Sequence, residues 1–81
     1  MSADHMVTLI GKPGCHLCDE ARAVIVSVCA DLGVPWMETS ILDEPMLADA
    51  YWDQIPIILV DDRTLAFWRI TPEHLRSALT S

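Results

Sequence analysis

With 81 residues, 52% apolar and 21% charged, the chain has room for one small domain, residues 1–81, and enough apolar content for a core, which argues against disorder. The formal net charge is −7, and the five cations, Lys12, Arg22, Arg63, Arg69 and Arg76, are scattered, which argues against a phosphate-tracking surface and against nucleic acid as a partner. No apolar run is long enough to span a bilayer, and Met1–Met6 lacks the basic-then-apolar pattern of a secretion signal, so a cytoplasmic, membrane-free monomer is expected.

Val7-Thr8-Leu9-Ile10 reads as a first strand, and Gly11-Lys12-Pro13-Gly14 as a loop of turn residues. From Cys15 to Leu32 there is neither Gly nor Pro, and Leu17, Ala21, Val24, Ile25, Val28 and Leu32 recur at helical spacing. Val24–Val28 alone is rich enough in β-branched residues to pass for a strand. The length of the segment and its apolar stripe predict a helix instead, with Gly33 as the stop. Val34–Thr39 is expected as a second strand, Pro35 marking its start or an edge. Asp43-Glu44-Pro45 then opens a second helix whose buried face is Met46, Leu47, Ala50 and Tyr51.

The fully apolar run Ile55–Val60 predicts a central strand entered through Pro56. Asp61-Asp62-Arg63 makes a turn, and Thr64–Trp68 returns as a fourth strand. Thr71 caps a last helix, with Pro72 in its first turn and Leu75 and Leu79 facing inward. The order β-α-β-α-β-β-α demands a parallel first pair with a right-handed crossover and ends in an antiparallel hairpin. An α/β fold follows, a four-stranded mixed sheet flanked by three helices.

Chemistry concentrates at Cys15-His16-Leu17-Cys18, between the first strand and the first helix. Two thiols three residues apart at a helix start share a face and are close enough to bond to each other. The helix terminus also favours a thiolate there. This arrangement reads as a dithiol/disulfide site. Its main rival is a soft-metal module, binding Cu(I) between the two thiols or Zn with His16 and a further ligand. A third reading keeps the fold with redox-silent thiols. Cys29 would lie about 16 Å along the helix from Cys18, beyond the ~7 Å Cα limit for a disulfide, and is expected as a small buried apolar residue.

The element order, the Cys15–Cys18 motif, Lys12 three residues before it and Ile55-Pro56 entering the apolar strand together resemble the glutaredoxins of the thioredoxin-fold superfamily. The chain is most similar to the small bacterial glutaredoxin-like proteins of unassigned role, which are short and carry a Phe-Trp-Arg stretch near the end. The resemblance implies a cis bond at Ile55-Pro56 and a thiol–disulfide oxidoreductase. There are departures. His16 and Leu17 stand where glutaredoxins usually have Pro-Tyr, and Gln54 stands where Thr is common. Ala66-Phe67-Trp68-Arg69 replaces the Gly-Gly stretch that helps those proteins bind glutathione, and bulky side chains there argue against tight glutathione use.

In this reading Cys15 attacks a substrate disulfide and Cys18 resolves the mixed disulfide, with no cofactor or metal. Lys12 and the helix terminus favour the Cys15 thiolate while Asp19 and Glu20 oppose it, so a modestly lowered Cys15 pKa is expected. His16 is either a tuning group or an exposed loop residue. Ile55 and Pro56 would present backbone to an extended substrate beside the thiols. Tyr51, Trp52, Phe67 and Trp68 could form an apolar rim. Expected partners are a disulfide-containing protein or small thiol substrate and an external reductant, either thioredoxin reductase or a low-molecular-weight thiol. The sequence leaves substrate, reductant and reduction potential open.

Overall fold

The computed structural model describes residues 5–43, 45–46 and 53–80. Its elements are β1 (Val7–Gly11), α1 (His16–Leu32), β2 (Trp36–Ser40), a 3-10 turn (Ile41–Asp43), β3 (Ile57–Val60), β4 (Arg63–Phe67) and α2 (Pro72–Thr80). They form one four-stranded sheet in the order β2-β1-β3-β4. β1 and β2 are parallel, β1 and β3 antiparallel, β3 and β4 antiparallel. The expected mixed sheet is therefore present. The helix expected from Asp43 through Tyr51 lies mostly outside the described residues. Within them, Asp43 ends the 3-10 turn, Pro45 and Met46 are helical, and Met46 is 88% exposed rather than on a buried face.

Each helix boundary has a local cause. Cys15 is the N-cap of α1 in an extended conformation, and Gly33, at φ 68°, ends the helix in the left-handed region where glycine carries no side-chain penalty. The N–H groups of Gly33 and Val34 both donate to the Cys29 carbonyl, closing the last turn. Thr71 caps α2 through its hydroxyl, which accepts from the His74 N–H at 3.1 Å. Substituting such a cap by alanine typically costs about 1 kcal/mol.

Every strand differs from the sequence reading by one or two residues at one or both ends. β3 starts at Ile57 because Pro56 follows a cis bond and has no N–H to give the ladder. β2 starts after Pro35, whose carbonyl accepts from the Val7 N–H at 3.2 Å. Arg63 belongs to β4, leaving Asp61 and Asp62 as a two-residue hairpin turn with φ of 54° and 68°. Positive φ at both central residues matches the twist of the flanking strands, and Asp tolerates it better than most residues.

Side chains alternate across the sheet. Val7, Leu9 and Ile58 face α1 and α2, packing with Ala21, Ile25, Val28 and Cys29 of the first helix and Leu75 and Leu79 of the second. Ile10 and Ile57, from alternate positions of β1 and β3, join a second cluster with Cys18, Ile41 and Ile55. Burial of a side chain such as Ile25 or Leu75 stabilises by about 1.5–3 kcal/mol. Cys29 is 2% exposed inside the main core, as expected of it, and burial pushes its thiol pKa up, so it stays protonated and unreactive. Among the described residues, no helix is long and apolar enough to cross a membrane.

Candidate active site

The second cluster lies at the C-terminal end of β1, where the chain turns into α1. Gly11 ends the strand, Gly14 turns the loop at φ 71°, and Cys15 caps the helix. Cys15 and Cys18 form a disulfide with Cα atoms 5.2 Å apart. The Cys18 N–H donates to Cys15 Sγ at 3.1 Å, so the first sulfur takes the place of a capping oxygen at a free helix donor. The two sulfurs differ in access. Cys15 is half-buried, whereas Cys18 is 2% exposed.

The Ile55–Pro56 peptide is cis. Ile55, 5% exposed, packs in the cluster that holds Cys18, with Cys15, Leu59 and Phe67 packed against it. The fold thus brings Cys15, Cys18 and the residue preceding Pro56 together. Pro56 itself is buried, and its carbonyl accepts from the Trp68 N–H at 2.8 Å.

Cys15 also lines an open groove of about 430 Å³ shared with β2, lined among others by Lys12, Asp19, Arg22, Glu38 and Asp43. Lys12 therefore lines the same groove as Cys15. His16 is exposed and does not line this groove. Trp52 and Tyr51 lie outside the described residues. Phe67 is half-buried against the cysteine cluster, and Trp68, 53% exposed, lines a separate apolar groove with Leu17 and Val24.

Two features of the site were not foreseen. The first is steric. A Cβ on Gly11 would stand 3.1 Å from Cys18 Sγ, so the bare backbone of this residue is what lets the helix seat its second sulfur against β1. The second is electrostatic. Arg22 donates to Asp19 Oδ1 at 2.8 Å and, with Nε and Nη2, forks Glu38 at 2.8 and 2.6 Å. Asp19, expected to oppose a Cys15 thiolate, is therefore already paired. The guanidinium holds the Glu38 carboxyl below the usual carboxylate range, and Glu38 is the first cause of a raised Arg22 pKa. Asp19 and Arg22 are three apart on a helix, a pairing legible in sequence; Glu38 joins them only through the fold.

After β4 the backbone turns at Trp68 with φ 64°, and the indole Nε1 donates to the Asp53 carbonyl at 2.9 Å. A conformation that favours glycine is thus carried by a tryptophan strapped to the loop entering β3.

The sequence from residue 6 to 80 matches the family described as Glutaredoxin-like domain (DUF836). The chain belongs to this glutaredoxin-like family. It is 24% identical over 76 residues to an uncharacterized protein of Mycobacterium tuberculosis, covering 88% of this chain and 78% of that one. Among solved structures, a structural genomics target protein from X. campestris superposes with a TM-score of 0.74 at 28% identity, covering 90% of this chain and 93% of the other. Mitochondrial thioredoxin 3 from Saccharomyces cerevisiae, in its oxidized form, gives 0.67 at 15% identity, covering 94% and 76%, a likeness of fold alone. A thioredoxin-like fold with a paired CxxC is the framework of a redox protein. Among the described residues of this glutaredoxin-like chain, no group of three or more His, Cys, Asp and Glu side chains is placed to hold a metal ion.

Proposed function

We propose that the protein is a thiol–disulfide oxidoreductase that reduces disulfides of proteins or small molecules in the cytoplasm. The observation that carries this reading is the unequal access of two paired sulfurs in one helical turn, the outer one beside Ile55 and a groove, the inner one sealed.

The Cys15 thiolate attacks one sulfur of the substrate disulfide. A Cys15–substrate bond forms as the substrate S–S bond breaks, and the departing sulfur leaves as a thiolate that takes up a proton. Cys18, deprotonated, then attacks Cys15 Sγ, forming the Cys15–Cys18 disulfide and releasing the second substrate sulfur as a thiol. Two electrons have passed to the substrate, and a dithiol reductant or two equivalents of a monothiol restores the pair. The Cα separation of 5.2 Å lets the second attack proceed without backbone rearrangement. Lys12 in the groove favours the attacking thiolate. Ile55 and Pro56 border an extended substrate, and His16, at the exposed rim, meets the bulk of a protein substrate. The indole of Trp68 stands where a glycine would leave backbone open, which supports thioredoxin reductase or a low-molecular-weight thiol other than glutathione as reductant.

The test is one model disulfide offered with a panel of reductants to the intact protein, Cys15→Ser and Cys18→Ser. Loss of turnover in both variants, with a trapped mixed disulfide at Cys15 in Cys18→Ser, is expected. Turnover that survives Cys15→Ser, or none from the intact protein with any reductant, would remove the proposal.

A further inference from the structure

The charged side chains around Cys15 are arranged unevenly. Its neighbours in the buried cluster are apolar: Ile10, Ile41, Ile55 and Ile57 with the buried Cys18. Among the described residues, the charged side chains that share a groove with it are Lys12 from the loop, Asp19 and Arg22 from α1, Glu38 from β2 and Asp43 from the 3-10 turn. Among the described residues, those two cations and three carboxylates sum to −1 before any thiolate forms. A reduced Cys15 would have to ionise into an already negative surface, against the pull of the helix terminus. His16 and Glu20 are exposed on α1 outside the groove.

Asp19 is the carboxylate nearest in sequence to the pair and sits on the same helical turn. Left bare, it would be a fixed anion close to the developing thiolate. Arg22 prevents this, and its geometry is not left to the helix surface. The bidentate fork to Glu38, on the edge strand β2, fixes the plane of the guanidinium, and its remaining Nη1 then reaches Asp19. A lysine could neutralise one carboxylate but could not hold this three-way geometry.

We infer that Arg22, aimed by Glu38, is a positioning residue for the chemistry of Cys15: it ties Asp19 into an ion pair and so keeps that carboxylate from suppressing the Cys15 thiolate. The inference rests on the reading of Cys15 as the attacking thiol. Arg22 acts through Asp19.

The experiment follows the rate of iodoacetamide alkylation against pH in the reduced full-length protein, with the modified cysteine located by mass spectrometry. Arg22→Gln is expected to raise the Cys15 midpoint by about half a pH unit, slowing alkylation below the midpoint about threefold. Adding Asp19→Asn to Arg22→Gln should bring the midpoint back to the wild-type value. Arg22→Lys should fall between. A role confined to stability would lower the urea midpoint of Arg22→Gln without moving the alkylation profile. That result, or a shift that Asp19→Asn does not reverse, overturns the inference and leaves the oxidoreductase reading standing. Alkylation at Cys18 in place of Cys15 overturns the assignment of the attacking thiol instead, and the inference with it.

Discussion

The two ends of β1 solve similar problems with different residues. At its start, Val7 pairs with Val60 beside the Asp61–Asp62 turn, and the polar groups there close on one another. His5 Nδ1 meets Asp61 Oδ2 at 2.6 Å, the Met6 N–H donates to Asp61 Oδ1 at 2.9 Å, and the Asp61 N–H returns to the Met6 carbonyl at 2.9 Å. At its finish, Gly11 meets Cys18, and Cys15 is left half-exposed beside a charged groove. Both ends use left-handed residues. At the hairpin they are aspartates, which the conformation suits; near the disulfide one is Trp68, which it does not. The hairpin end agrees with its own local preferences throughout. The disulfide end breaks one of them and leaves a sulfur accessible, as expected where shape serves chemistry before stability.

That contrast can be broken most severely at Gly11. The space between its backbone and Cys18 Sγ admits no larger residue without movement, since even a Cβ would come within 3.1 Å. Gly11→Val should therefore destabilise by about 1–3 kcal/mol through overpacking against the helix start. Urea unfolding of the oxidised and the reduced protein measures it. A loss confined to one redox form would show that the two sulfurs shift when the bond opens; no loss in either would mean that the contact is easily relieved.

Trp68 sharpens the comparison with a smaller expected effect on stability. Trp68→Gly removes an indole hydrogen bond of about 0.5–1.5 kcal/mol but also the left-handed penalty of roughly 1–2 kcal/mol for a residue with a Cβ. Losing the packed half of the indole and gaining a flexible glycine add to the cost, so a net loss of about 1–2 kcal/mol is expected. The melting temperature should fall modestly, while turnover supported by glutathione should rise as the backbone after β4 becomes open. A large fall in stability with no gain from glutathione would make Trp68 a structural strap and nothing more.

Most of the fold was legible because its signals are local. The apolar run at Ile57–Val60, the uninterrupted stripe from Ala21 to Val28 and the Thr71-Pro72 start each specify an element without reference to the rest of the chain. The cysteine pair was legible for the same reason, since three-residue spacing on a helix fixes its own geometry. What stayed hidden depends on contacts between distant segments. Glu38 reads as an exposed strand residue until β2 lies parallel to β1 and Arg22 reaches across from α1. Gly11 reads as a loop glycine until α1 places Cys18 against it. Trp68 reads as the end of a strand, because nothing in a Phe-Trp-Arg stretch announces a left-handed turn closed by the Asp53 and Pro56 carbonyls.

The smallest effect should come from the hairpin end, and its sign can be worked out. The His5 hydrogen bond, with the Met6 N–H second, holds the Asp61 carboxyl below its ordinary range. An unfolded aspartate titrates near ~3.9. The folded carboxyl therefore stays ionised to lower pH, and its contribution to stability is complete above the unfolded value and lost as pH falls through the folded one. Asp61→Asn keeps a residue that tolerates positive φ but removes the charge. The variant should unfold at lower urea than the wild type at neutral pH, and the gap should narrow on acidification to below about pH 4. Because Asp61 is exposed, the gap should also shrink with added salt. Turnover should be unchanged, since the substitution lies at the far end of β1 from Cys15. A gap that ignores both pH and salt would mean that the His5–Asp61 contact is held by geometry rather than charge, and a change in turnover would mean that the two ends are coupled through β1.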